Sequence, residues 1–426
     1  MTPVQGAVIH AYQDRRHDAA PVPASASLEL SSAAAPGLHL TVYDNLNAAE
    51  QLWRRFEPHT DCTIFQTFDY LAAWQRHIGA RENIAPAIVV GRRAGGEILF
   101  LLPLAVYDDG WVRRLIWLGQ DLCDYLAPLL AANFSRSIGA GKFAALWQEI
   151  GMLLQKNPRL RHDLVELRKM PGLMGAQTNP FLQLSVLLHS SGAHLAKLRG
   201  DWESFYAGKR SSATRRRDRS KRKHLAEHGE IRMLTPTDDG EIIRTIETLI
   251  RQKSHAFARM GAANLFARPG VREFYFDLAT NPRTREHVHV SRLEIGATPA
   301  STNLGFQYRG RYYYVLASYD DGEISRFGPG AAHLRDLMQR ACELGLGEFD
   351  FTVGDESYKY EWSDTQTRLY DHLAAVTARA IPVVMLLRVL SWAKRTIKRT
   401  ALLWRAYRGL RAAIASLTHA RARAGR

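Results

Sequence analysis

The sequence predicts a mixed α/β fold of two consecutive domains with similar element order, followed by a basic amphipathic helix. Three observations carry that expectation. At 426 residues the chain exceeds what one hydrophobic core usually serves. In each half, short β-rich runs alternate with segments of helical period, in a similar order. Residues 372–426 hold twelve Lys or Arg and no acid, beside a recurring apolar stripe.

Residues 1–37 include PVPASASLELSSAAAPG, which has no sustained period and too little apolar area to offset its ordering entropy, so a disordered leader is expected. The first domain is expected over 38–195. LHLTVYD reads as a strand, and Asn45 opens a helix. In FDYLAAWQRHIG, Tyr70, Leu71, Trp74 and Ile78 share one helical face. PAIVVGRR and EILFLLPLAVYDD form a hairpin about Ala94, Gly95 and Gly96, and WVRRLIWLG is a third strand. The helix FAALWQEIGMLLQ and the strand DLVELRKM complete the domain.

The second domain is expected over 196–375. It opens with a long basic helix from Asp201 that stops at Gly229, where nearby cations favour a helix C-terminus. EIRML is a strand, and IIRTIETLIRQKSHAFARM and REFYFDLAT are helices. VHVSRLEIG, ASTNLGFQYRG and RYYYVLASYD are strands, followed by a glycine turn, the helix AAHLRDLMQRACELG and the strand EFDFTV. The halves share order but no residue-level repeat, so duplication rests on order alone.

The formal charge of +15 is confined to two runs. Residues 208–223 hold nine basic residues against Asp218, the tail 376–426 is basic throughout, and the remaining body is mildly acidic. A general nucleic-acid surface is therefore not expected. Cys62, Cys123 and Cys342 are odd in number and widely spaced, which fits neither a zinc site nor a disulfide framework and suits a reducing compartment. With no signal-like start and no run of 18 apolar residues, a cytoplasmic protein without a metal is expected.

The chemistry concentrates late in the chain. In SYDDGEISRFGPGAAHLRDLMQRACELGLGEFDF a strand, a glycine turn and a helix start follow in the order that builds an anion site. By itself the turn equally fits an ordinary strand-to-helix connection. FDFTVGDESYKYEW then packs Asp350, Asp355, Glu356, Tyr358, Lys359 and Trp362 at a strand end. No Ser/His/Asp motif of hydrolase type and no nucleotide P-loop is present.

Together these stretches resemble the CelD-type acyltransferases of cellulose and exopolysaccharide clusters, a GNAT branch related to the FemAB peptidyltransferases. The shared pattern is Gly328, Pro329, Gly330, Asp350, Phe351, Gly354, Asp355, Glu356, Tyr358 and Lys359. Weaker likeness in TIFQTFDYLAAWQRH and RQKSHAFARMGAANLFARPGVREFYFDLA extends it over residues 38–375. The resemblance implies two tandem GNAT-like domains, with acyl-CoA (acetyl-CoA) as a co-substrate and no permanently bound cofactor. It assigns the coenzyme pyrophosphate to amides of Gly328, Gly330, Ala331, Ala332 and His333, with Arg326 nearby.

One position departs from the pattern. The GNAT signature carries Gln or Arg three residues before its first Gly, and Ser325 stands there, with Arg326 one place later. FemAB relatives take their acyl group from aminoacyl-tRNA, so that donor is the alternative, served by the basic run near residue 215. Acyl transfer needs a base, an oxyanion donor and an acid. Asp355 and Glu356 are the candidate bases, Tyr358 the acid and Lys359 a charge partner or donor. Lys253, His255 and Arg259 lie on a helix expected to hold the acceptor, implied to be a hydroxyl or amine of a polysaccharide or its precursor. A binding or scaffold protein that kept the fold and lost catalysis is the reading from another class.

In IPVVMLLRVLSWAKRTIKRTALLWRAYRGLRAAIASL a helix starts near Pro382, with Val383, Leu387, Leu390, Ile397, Trp404, Leu410, Ile414 and Leu417 at near-heptad spacing. Basic residues beside such a stripe suit an interfacial helix on anionic lipid at the inner face of a membrane. The same stripe fits the protein's own core or a partner.

Overall fold

The computed structural model describes residues 28–139 and 141–399, and the rest of the leader and basic tail lies outside the described residues. The strands of the first half are β1 (Leu28–Ser31), β2 (Leu38–Tyr43), β3 (Ala85–Arg93), β4 (Ile98–Asp108), β5 (Arg113–Trp117), β6 (Leu129–Leu130) and β7 (Leu164–Pro171). A short hairpin, β8 (Leu173–Met174) and β9 (Gln177–Thr178), precedes β10 (Val186–Leu188) and β11 (Ala193–Lys197). The second half supplies β12 (Ile231–Leu234), β13 (Val288–Ile295), β14 (Thr298–Tyr308), β15 (Arg311–Tyr319), β16 (Glu348–Val353), β17 (Thr365–Thr367) and β18 (Leu369–Ala375).

Two large mixed sheets result. The first runs β1-β2-β3-β4-β5-β7-β18-β10, with β6 on β4, and the second runs β12-β13-β14-β15-β16-β11-β17. Each has one parallel pair, β5 with β7 and β15 with β16. The halves exchange strands: β18 follows the second sheet in sequence yet pairs with β7 and β10, while β11 lies between β16 and β17. The expected boundary at 195/196 cuts β11, which belongs to the second sheet, and the one at 375/376 follows β18, which belongs to the first.

The α-helices of six or more residues are α1 (Leu46–Phe56), α2 (Phe68–Trp74), α3 (Phe143–Lys156), α4 (Trp202–Lys209), α5 (Ser212–Ala226), α6 (Asp239–Arg259), α7 (Val271–Thr280), α8 (Pro329–Glu343), α9 (Ser357–Trp362) and α10 (Ile381–Arg399). Asn45 caps α1 by accepting from the Asn47 amide, as its position before the apolar period leads one to expect.

Two expectations are corrected. Residues 28–31, placed in the leader, form β1 because Leu28 and Leu30 alternate onto the core and the strand pairs with β2. The segment from Asp201 to Gly229 is two helices, because Ser211 accepts from the Thr214 amide and starts a second one.

The two halves share one hydrophobic core. Tyr70 meets Phe274 and Phe306 edge-on at 5.3 and 5.7 Å, and Phe65 meets Tyr313 at 5.8 Å. At the rim, Arg268 pairs with Glu82 at 2.6 Å and with Asp121 at 2.9 Å. Aromatic pairs of this kind contribute about 0.5–1.5 kcal/mol each beyond their buried area, so the halves are fixed relative to each other.

Candidate active site

The site begins where β15 and β16 separate. Their register is Arg311 with Glu348, Tyr312 with Phe349 and Tyr313 with Asp350, after which the pairing ends. β15 continues to Tyr319 and β16 to Val353, leaving a wedge between them. Helix α8 begins beside Tyr319, since a Cβ on Gly330 would stand 3.0 Å from that ring.

The start of α8 is built to leave donors open. Gly328 is its N-cap at φ 71°, a left-handed backbone that glycine adopts without strain, and no side chain caps the helix. Pro329 has no amide hydrogen, and the Ala332 amide already bonds Gly328, so the open first-turn amides are those of Gly330 and Ala331. Lys221 of α5 lies close, its Nζ 4.0 Å from the Cβ position of Gly328. Helix α5 is held there by Arg222 to Asp336 at 3.0 Å, Asp218 to Arg335 at 3.2 Å and the His224 ring stacked on Phe327. One side of the basic run is therefore committed to α8, while Arg216, Arg217, Arg219, Lys221 and Lys223 face solvent.

Of the other residues expected at this turn, Arg326 is exposed, with its guanidinium over Phe327. Ala332 and His333 turn the other way, onto the sheet. His333 is buried between the hydroxyls of Ser291 and Ser301 at 3.0 and 3.2 Å, and burial pushes its pKa down to about 3. Their side chains do not face the donor turn.

Deeper in the wedge two lysines line its two edges. Lys253 of α6 donates to Ala317 O of β15 at 3.0 Å, and Lys359 of α9 donates to Val353 O of β16 at 2.9 Å. Burial lowers the Lys253 pKa, and Glu356 and Lys359 act on it in opposite senses. Glu356 pairs with Lys359 at 3.1 Å. Gly354 sits against both, at φ 155°, where any Cβ would lie 2.2 Å from Glu356 Oε2 and 2.5 Å from Lys359 Nζ. Asp355 and Glu356 are exposed, whereas Tyr358 packs against Phe351, and burial raises its pKa so that the phenol keeps its proton.

The expected acceptor residues of α6 separate. His255 and Arg259 lie roughly 200° and 240° around the helix from Lys253. Both are exposed, and Arg259 pairs with Asp321 at 2.9 Å. Lys253 joins the wedge and the other two do not.

The N-terminal half supplies residues that the sequence did not indicate. Asp124 lies beside the Thr352 hydroxyl, which donates to Tyr314 O at 3.4 Å, and burial raises the Asp124 pKa against the pull of Lys169 and Lys359. Lys169 and Thr352 stand near corresponding places on β7 and β16, both at positive φ, 54° and 57°. For a β-branched residue that conformation is strained, and such strain gathers at sites where surrounding contacts hold it. Lys169 Nζ donates to Asp121 O and Cys123 O, fixing the loop that presents Asp124. Tyr125 donates to Asp350 at 2.8 Å across 225 residues of sequence. No local pattern could signal these pairs.

Residues 212–360, which hold the wedge and its glycine turn, match the family model described as an acetyltransferase (GNAT) domain. Among solved structures, FemX is similar at 9% identity over 75% of this chain and 95% of that one, with a TM-score of 0.51. A tandem GNAT protein from the clavulanic acid biosynthesis pathway is similar at 12% identity over 83% and 99%, TM-score 0.43. Saccharomyces cerevisiae N-myristoyltransferase with bound myristoyl-CoA is similar at 10% identity over 79% and 82%, TM-score 0.42. The likeness to FemX concerns the fold alone. No curated protein matches the chain.

Proposed function

We propose that this protein moves an acyl group, acetyl in the simplest case, from acyl-CoA to a hydroxyl or amine of a polysaccharide or its precursor, as a CelD-like GNAT acyltransferase. One observation carries the reading: the uncapped start of α8, with its open Gly330 and Ala331 amides and Lys221 alongside, stands at the wide end of the β15/β16 wedge. Amides and a cation at a helix N-terminus suit a pyrophosphate. The wedge then leads the thioester arm toward Lys253 and Lys359, whose charges oppose the oxyanion formed on attack. In this reading Tyr358, which keeps its proton, protonates the departing thiolate, while Glu356 pairs with Lys359 and Asp355 is exposed.

In this reading residues 38–195 support residues 196–375, which carry the donor site. In the first half, α3 has Lys142 and not glycine as its N-cap, and its Phe143 amide donates to Gln183. Isothermal titration with acetyl-CoA, followed by thiol release in the presence of sugar acceptors, tests the proposal. Micromolar donor binding that Gly330→Val removes is the expected result.

The exposed cations of α5 beside the donor turn favour a second reading, aminoacyl transfer from aminoacyl-tRNA. Competition separates the two: tRNA displacing acetyl-CoA with a steep salt dependence supports the second, and indifference to tRNA supports the first.

Helix α10 supports a peripheral place on an anionic membrane. Val384 is buried with Val112, Leu164 and Leu373, while Met385, Leu386, Val389, Leu390 and Trp392 are each more than half exposed. Ile397 lies in α10, and Trp404, Leu410, Ile414 and Leu417 lie outside the described residues. Among the described residues no helix is long and apolar enough to cross a membrane.

A further inference from the structure

A cavity of about 640 Å³ lies between the two halves, on the opposite face of β15 and β16 from α8. It is within the size range of small-molecule sites. The wedge and this cavity meet at one place. Asp350 is the last β16 residue paired to β15, so it stands where the strands begin to part, and its carboxyl lines the cavity together with Tyr125, Arg311 and Tyr313. Alternation along β16 explains the geometry: Phe349 and Phe351 pack toward α8, and Asp350 between them points away.

We propose that this cavity is the acceptor site, that it takes a polyhydroxylated, sugar-like molecule, and that Asp350 receives the proton of the reacting hydroxyl or amine. The inference rests on the acyl-transfer reading above and adds to it the acceptor's place, class and base.

The lining selects the class. Tyr370, partly exposed beside the buried Tyr308 and Tyr313, gives aromatic surface for the C–H face of a sugar ring, and Asp61 and Gln366 give hydroxyl partners at the rim. Two of the three lining arginines, Arg309 and Arg311, are committed, which leaves exposed Arg368 at the rim as the lining cation open to an acceptor. Arg309 donates to the carbonyls of Glu57 and Thr60, and Arg311 to Glu348 and Asp350. The size admits more than one sugar ring.

The base follows from its partners. Asp350 is 1% exposed and accepts from Tyr125 Oη at 2.8 Å and from the Thr352 amide at 2.8 Å, with Arg311 Nη1 at 3.4 Å. Burial raises its pKa to about 6 against those donors, so the group is ionised at neutral pH and able to take a proton. In the step itself the acceptor oxygen or nitrogen bonds the thioester carbonyl carbon, the C–S bond breaks with its electron pair on sulfur, and the acceptor proton passes to Asp350. The thiolate takes a proton from Tyr358, and the proton held by Asp350 passes through solvent to the Tyr358 phenolate, which restores both groups. Tyr125 comes from the N-terminal half, so that half acts on the chemistry by positioning the base.

The test uses the full chain, acetyl-CoA as donor and cellotetraose and glucosamine as acceptor probes. Asp350→Asn should lower kcat about 10²-fold and leave the acetyl-CoA Kd within twofold. Tyr125→Phe removes a donor to the carboxylate and should move the acid limb of kcat/KM upward from near pH 6 by about half a unit or more, a change that loss of packing alone would not produce. Leu173 is 62% exposed at the cavity rim, so Leu173→Trp keeps the fold. It should raise the acceptor KM tenfold or more with the acetyl-CoA Kd unchanged. Wild-type acceptor kinetics in Leu173→Trp and Asp350→Asn, with donor binding still lost in Gly330→Val, overturns this inference and leaves the acyl-transfer reading standing. A wild-type protein that binds no acetyl-CoA overturns both.

Discussion

Replacing Gly330 with Val tests the donor turn with little disturbance elsewhere. The new Cβ would stand 3.0 Å from Tyr319 Cδ1, and Tyr319 is 47% exposed, so its ring can turn aside. Val at a second helical position is no worse than Gly for helix propensity, and the fold should hold. The two Cγ methyls would cover the open amides of Gly330 and Ala331. A hydrogen bond to a charged group is worth about 1.5–3 kcal/mol, so losing two of them predicts a loss of affinity of at least about 10²-fold. Isothermal titration with acetyl-CoA reads this directly, and circular dichroism checks the fold. Lys221→Ala is the companion variant, with a smaller, salt-sensitive loss of a few-fold because an exposed cation contributes about 1 kcal/mol or less. Unchanged affinity in Gly330→Val with a native spectrum would refute the pyrophosphate assignment.

Three further outcomes are expected. Tyr358→Phe should lower turnover about 10²-fold with donor affinity kept, whereas exposed Asp355→Asn should change it by less than about tenfold; stopped-flow thiol release compares them. Acid should weaken the fold through buried His333 and His289, held near pKa 3 and 4 against about 6.5 when unfolded. The folded state binds fewer protons than the unfolded one, so the stability present above pH 6.5 is lost as the pH falls toward 4, by up to about 1.4 kcal/mol per unit per histidine. Urea midpoints at pH 7.5 and 5 should show a shallower slope in His333→Gln, and an identical slope would contradict the assignment. Finally, vesicle binding through α10 should fall with added salt and with Trp392→Asp, since each cation near an anionic leaflet contributes about 1 kcal/mol; binding that ignores both would exclude this helix.

Much of the fold was legible because its elements are locally specified. The β3/β4 hairpin follows from two apolar runs around Gly95 and Gly96, and α8 follows from the Gly328-Pro329-Gly330 turn ahead of a 3.6-residue period. Local composition also misled: the Ala- and Ser-rich surroundings of LELS concealed the alternation of β1, and a continuous run of charge concealed the Ser211 cap. The strand exchange of β11 and β18 had no signal, because pairing partners more than 150 residues apart leave no short-range period. The site shows the same division. Gly328 and Gly330 sit in one short stretch, and Glu356, Tyr358 and Lys359 in another, each organised locally by its own turn or short helix. Lys253 was found on its helix, but only the direction of its side chain separates it from His255 and Arg259. Asp124 and Tyr125 meet Thr352 and Asp350 only because the halves pack face to face, and Lys169 holds the loop that carries them.

Hydrogen–deuterium exchange on the full chain, with and without saturating acetyl-CoA, tests the central claim most directly, since it reports where the donor lies whatever the acceptor. The account predicts slowed exchange at the amides of Gly330 and Ala331 and along residues 353–359, with no change at the start of α3. Protection at the first half instead, or none anywhere despite measured binding, would contradict it.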